Sequence, residues 1–123
     1  MNAYASVPAA YIESSIMTAP PERLVVMLYD GAHRFLTQAA AAMRQRDIAH
    51  SNDRLQRAEA IISELKSTLD MSAGEIAERL RSIYLFSRRH LGEARLERNP
   101  QKIETVSRLL AELRDSWAQL AGE

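Results

Sequence analysis

Cysteine is absent from all 123 residues, which removes disulfides, thiolate nucleophiles and thiolate metal sites together. Glycine and proline are scarce, four of each, so few positions interrupt a helix. Neither a Gly-rich phosphate loop nor a serine-nucleophile motif appears. Net charge is missing too: sixteen Lys+Arg cancel sixteen Asp+Glu, leaving no overall field to favour a nucleic-acid backbone or an anionic membrane. Aromatic residues make up 6% of the chain, too few for a single-strand stacking platform. No window approaches the ~18 apolar residues of a membrane span, and residues 1–20 lack the basic start and unbroken apolar stretch of a secretory signal. The expectation is a cytoplasmic protein with no membrane insertion.

What is present is amphipathic helix. After an arm over 1–20, the chain reads as four helical segments with short gaps and no alternating strand pattern. The first begins near Pro21 and carries Leu24, Leu28, Ala32, Phe35, Ala39 and Met43 on one stripe. Asp47 is a candidate N-cap for the second, whose stripe is Ile48, Leu55, Ala58, Ile62, Leu65 and Leu69, broken by Ser51. Ser72 and Glu75 have the spacing of a capping box for the third, with Ile76, Leu80, Ile83, Leu91 and Ala94 as its stripe. Asn99 before Pro100 marks the fourth, where Ile103, Val106, Leu110, Leu113, Trp117 and Leu120 keep heptad spacing. Gaps of a few residues make successive helices antiparallel. The expected fold is therefore all-α: an antiparallel up-down four-helix bundle over 21–121, one domain, with the N-terminal arm packed on it.

Apolar residues exceed what one core needs. Residues 24–29 are consecutively apolar, which at ~100° per residue encircles the first helix. Ile83, Tyr84, Leu85 and Phe86 do the same on the third, while Ile61 and Leu109 lie beside their stripes. Two readings stand: helices buried all round, or a groove that another chain's helix fills. The arm, with Tyr4, Val7, Tyr11, Ile12, Ile16 and Met17, is too apolar for a solvated tail. It either completes the core or covers the groove until a partner displaces it.

Chemical alternatives are weaker. Asp30 with His33 and Asp47 with His50 form two Asp-x-x-His pairs, but the inward carboxylates of a bundle di-metal site are lacking, because Glu59, Glu64, Glu93 and Glu112 fall off the stripes. A histidine phosphotransfer domain is the alternative reading for a helical bundle. None of His33, His50 or His90 has the lysine and glycine that such domains place just downstream. The arginines from Arg79 to Arg98 alternate with glutamates, as on a solvated, ion-paired face. No catalytic residue, cofactor or metal is expected.

The stretch Ala10-Tyr11-Ile12-Glu13-Ser14-Ser15-Ile16-Met17-Thr18-Ala19, then Pro21, Leu24 and Met27-Leu28-Tyr29-Asp30-Gly31, resembles the N-terminal signature of the flagellar secretion chaperone family, usually called FliS. Asn52, Leu55, Ala58, Ile61-Ile62 and Glu64-Leu65 are similar to that family's second helix, Tyr84, Arg88-Arg89 and Leu91 to its third, and Leu113-Arg114-Asp115-Ser116-Trp117 to its ending. One departure is Pro20, where relatives commonly have a serine or threonine able to cap the first helix. The resemblance implies a bundle that binds the C-terminal segment of flagellin, prevents its premature polymerisation and delivers it to the flagellar type III export gate. On that basis the expected partner-binding residues are Met27, Tyr29, Leu55, Ile61, Ile62 and Tyr84, with Tyr11 and Ile16 from the arm. A monomer or weak homodimer is expected.

Overall fold

The computed structural model describes residues 21–122, which form four α-helices. They are α1 (Pro21–Arg44), α2 (Ile48–Ser67), α3 (Glu75–Glu97) and α4 (Pro100–Leu120), with a 3₁₀ turn at Met71–Ala73 between α2 and α3. Each helix packs on the next and α4 closes back on α1, giving the expected antiparallel bundle. Packing is closest where α1 meets α2 and α4; α3 sits more loosely across the far side. No described helix is long and apolar enough to cross a membrane. The expected arm lies outside the described residues, as does Pro20.

Local chemistry starts the helices. Asp47 accepts a hydrogen bond from the His50 amide at 3.2 Å and so caps α2. Asn99 accepts from the Gln101 amide at 3.1 Å, and Pro100, whose missing N–H is harmless there, opens α4. The capping box expected at Ser72 and Glu75 does not form. Asp70 accepts from the Ser72 amide at 3.0 Å and caps the 3₁₀ turn instead, while Glu75 pairs with Arg79 at 2.8 Å. Gly74 stands between them at φ 75° and ψ −129°, conformational space closed to most side chains. That turn separates Ser72 from the start of α3, so it has no donor there to satisfy.

The core runs through the bundle as Leu28, Ala32, Leu36 and Ala39 of α1, Leu55, Ala58, Ile62 and Leu65 of α2, Tyr84, Leu91 and Ala94 of α3, and Ile103, Val106 and Leu110 of α4. Large and small side chains alternate, letting facing layers interdigitate; each large one stabilises the fold by about 1.5–3 kcal/mol relative to exposure. None of the apolar run at 24–29 is fully exposed. Val26, Leu28 and Tyr29 are buried and Leu24, Val25 and Met27 are half-buried, because α1 packs against two neighbours and needs a broad apolar arc. On α3 the buried stripe is Ala77, Tyr84, Ser87, Leu91 and Ala94. Leu91 and Ala94 fall where expected, but over the first turns the stripe is turned by one residue, so Ile76 is exposed and Leu80 and Ile83 are only half-buried.

Ion pairs join the helices at their edges. Arg44 grips Glu104 with two bonds of 2.7 and 2.9 Å, Arg114 meets Asp30 at 2.9 Å, and Arg95 meets Glu59 at 2.6 Å. Such partly exposed pairs set register more than stability.

Candidate functional site

The site is built from the start of α3 and the end of α4. Along its inner stripe α3 offers small groups at Ala77, Ser87 and Ala94, so the apolar side chains flanking that stripe are left partly uncovered. Between α3 and α4, Ile76, Leu80 and Ile83 face Leu113, Trp117 and Leu120 across a groove of about 400 Å³. Arg79 is the one charged residue lining it. A second depression of about 400 Å³ adjoins it and shares Ile76, Leu80 and Trp117, continuing to Val25, Leu65 and Leu69 with Tyr84 in its wall. Ile76 is 69% and Leu120 70% exposed. This adjoining apolar lining, as opposed to scattered exposed leucines, makes the groove a candidate interaction site.

A hydrogen-bonded aromatic cluster supports the groove. The hydroxyls of Tyr29 and Tyr84, 55 positions apart, share a buried hydrogen bond, and Trp117 packs against the core that contains both. That bond ties α1 to α3 beside the tryptophan of α4. Burial pushes both phenols well above the ordinary tyrosine range, with the neighbouring Tyr84 adding to the shift at Tyr29. Both therefore stay neutral and act as positioning groups.

Of the expected partner-binding residues, Tyr29, Leu55, Ile61, Ile62 and Tyr84 lie inside the bundle, at 3% exposure or less. Met27 is half-buried. The structure brings Tyr29 and Tyr84 together and sets Tyr84 in the groove wall; Leu55, Ile61 and Ile62 belong to the core. Tyr11 and Ile16 lie outside the described residues. Sequence reasoning passed over Ile76, Leu80, Ile83, Leu113, Trp117 and Leu120 as binding residues because it assigned them to core stripes. A signal was present: the alanines and serine of α3 interleave with larger apolar residues, which leaves two rows competing for one inner face.

The groups that suggested metal or phosphoryl chemistry are engaged elsewhere. Asp30 binds Arg114, Asp47 caps α2, His33 Nδ1 lies 2.8 Å from the Ser107 hydroxyl, and His90 stacks on Phe86 at 4.9 Å.

Comparison with known proteins fits an apolar binding surface without a reactive centre. The family model for the flagellar protein FliS matches residues 2–123. The chain belongs to the FliS family. The flagellar secretion chaperone FliS of Salmonella typhimurium is 37% identical, over 98% of this chain and 89% of that protein. The protein of the same name from Vibrio cholerae is 34% identical, over 91% of this chain and 83% of its own length. That of Bacillus subtilis is 32% identical, over 89% and 82% respectively. FliS is a family of flagellar chaperones and not of enzymes, so the histidine phosphotransfer alternative falls. Membership implies flagellar proteins as partners.

Proposed function

We propose that this family member is a cytoplasmic export chaperone that holds the C-terminal helical segment of flagellin in the α3–α4 groove. By covering the apolar faces through which flagellin assembles, it prevents premature polymerisation, and it passes its client to the flagellar type III export apparatus. The observation that carries the reading is the continuous apolar lining from Ile76 to Leu120. Burying four such side chains against a client helix gains roughly 6–12 kcal/mol, and ordering a disordered segment takes back about 2–5 kcal/mol. The balance is ample for reversible binding by mass action, with no bond made or broken.

Tyr11 and Ile16 belong to this proposal as arm residues that cover or clasp the groove. Tyr29 and Tyr84 contribute by tying α1 to α3 in the core on which Trp117 packs, and Leu55, Ile61 and Ile62 by keeping α2 beneath α3. Calorimetric titration with the organism's flagellin C-terminal peptide tests the reading. Ile76→Asp and Leu120→Asp, both at exposed positions, should abolish or greatly weaken binding while the circular dichroism spectrum stays helical. Undiminished binding by both variants would remove the groove from the function.

A further inference from the structure

The opposite end of the bundle carries a different kind of surface. There the last turns of α1 and α3 meet the first turns of α2 and α4 around an open cavity of about 680 Å³. Four arginines line it, Arg44, Arg46, Arg95 and Arg98, and among the described residues no carboxylate does. Arg44 and Arg95 are engaged, with Glu104 and Glu59. The side chains of Arg46 and Arg98 have no ion-pair or hydrogen-bond partner among the described residues. Both have left-handed backbones, φ 61° and φ 52°, at the two tight connections 45–47 and 98–99, and they are the only non-glycine residues so placed among those described. Glycine is the default at such positions because a Cβ is disfavoured there. Two cations without a partner among the described residues thus stand at positions where the backbone favours another residue.

Apolar surface lies between them. Leu96 is 86% exposed and Ile48 is 45% exposed, and both line the cavity. The Ser51 hydroxyl in its wall is buried without a hydrogen-bond partner. A surface that combines unpaired arginines with exposed aliphatic side chains is complementary to a ligand having carboxylates beside an apolar row. Among the described residues no aromatic ring lines the cavity for a nucleobase to stack on. The chain's balanced charge also leaves it without the broad cationic face that a nucleic acid or anionic bilayer requires.

We propose that this end is a second docking site, separate from the α3–α4 groove, for an acidic amphipathic helix of a partner protein. Leu96 and Ile48 receive its apolar face, and Arg46 and Arg98 pair with its carboxylates. The site lies at the other end of the bundle from the groove, so both can be occupied together.

The test uses the full chain and a fluorescein-labelled helical peptide with leucines on one face and glutamates on the adjoining one, followed by anisotropy. The double variant R46G/R98G removes both guanidinium groups while giving each connection the residue its backbone favours, so the thermal midpoint should hold. Its dissociation constant for the peptide should rise about tenfold or more, with a shallower salt dependence. Leu96→Ser should weaken binding several-fold, and Leu120→Asp, in the other groove, should leave it unchanged. Equal affinity of R46G/R98G and the unaltered chain would overturn the proposal. So would equal binding of a lysine-for-glutamate peptide, tighter binding of a single-stranded oligonucleotide or phosphatidylglycerol vesicles, or loss of peptide binding in Leu120→Asp.

Discussion

Tyr29 of α1 and Tyr84 of α3 join hydroxyl to hydroxyl inside the bundle, each about 1% exposed. This is a polar link between diagonal helices that otherwise touch little. Removing one hydroxyl leaves the other buried with an unmet bond, a loss of about 1–3 kcal/mol, whereas removing both leaves one apolar layer. Tyr84→Phe is therefore expected to lower stability by about 1–2 kcal/mol. Adding Tyr29→Phe should cost less than the sum of the single changes. Urea denaturation of the four proteins in a double-mutant cycle measures that coupling; strict additivity would mean the bond does not tie α1 to α3.

Trp117 is the single tryptophan of the chain, and it lines both depressions of the groove. Under the proposed function, a flagellin helix seated there would remove water from the indole. Its emission should shift to shorter wavelength on titration with the C-terminal peptide and saturate with the calorimetric isotherm. Heat of binding with no change in emission would place the client elsewhere on the bundle.

Ser87 sits in the inner stripe of α3, fully buried, with a hydroxyl that has no hydrogen-bond partner among the described residues. Burying an unsatisfied hydroxyl is unfavourable, and alanine is also the better helix former. Ser87→Ala is expected to raise stability by about 1 kcal/mol, read as a higher urea midpoint. A fall in the midpoint would show that the hydroxyl is satisfied in solution.

Three carboxylates give the bundle an acid dependence. Hydrogen bonding and charge from Lys102 hold Glu93 below its ordinary value of 4.5, those from Arg44 do the same for Glu104, and hydrogen bonds from Ser72 hold Asp70 below 3.8. A carboxyl whose folded pKa is depressed contributes stability above its unfolded pKa, and that contribution disappears as pH falls through the folded value. The urea midpoint should therefore be level near neutrality and decline below about pH 4.5. Glu104→Gln should make the decline shallower, and an unchanged profile would exclude the Arg44 pair as a contributor.

Much of the bundle was legible in the residues themselves. Asp47 and Asn99-Pro100 announce two helix starts because an N-cap acts within three residues of itself. The stripes of α2 and α4 reappear in the core from Leu55 to Leu65 and from Ile103 to Leu110, since a side chain every third or fourth residue shares one face whatever surrounds the helix. The family resemblance was legible for the same reason: it rests on the order of side chains along the chain.

The binding surface was less legible. Consecutive residues on a helix point ~100° apart, so Ile83 and Tyr84 are equally good flanks of one apolar arc, and nothing local chooses between them. The choice falls to the neighbours: α2 and α4 enclose Tyr84, whose hydroxyl finds Tyr29, and Ile83 is left at the groove. In the same way Arg46 and Arg98, 52 positions apart, become one cationic rim only because antiparallel helices bring two connections to the same end of the bundle. Sequence by itself determined four amphipathic helices, the starts of α2 and α4, and the antiparallel order, because these depend on short-range spacing. Tertiary packing alone decided which apolar residues remain at the surface and which charges lie beside them, because burial is a property of what the other helices cover.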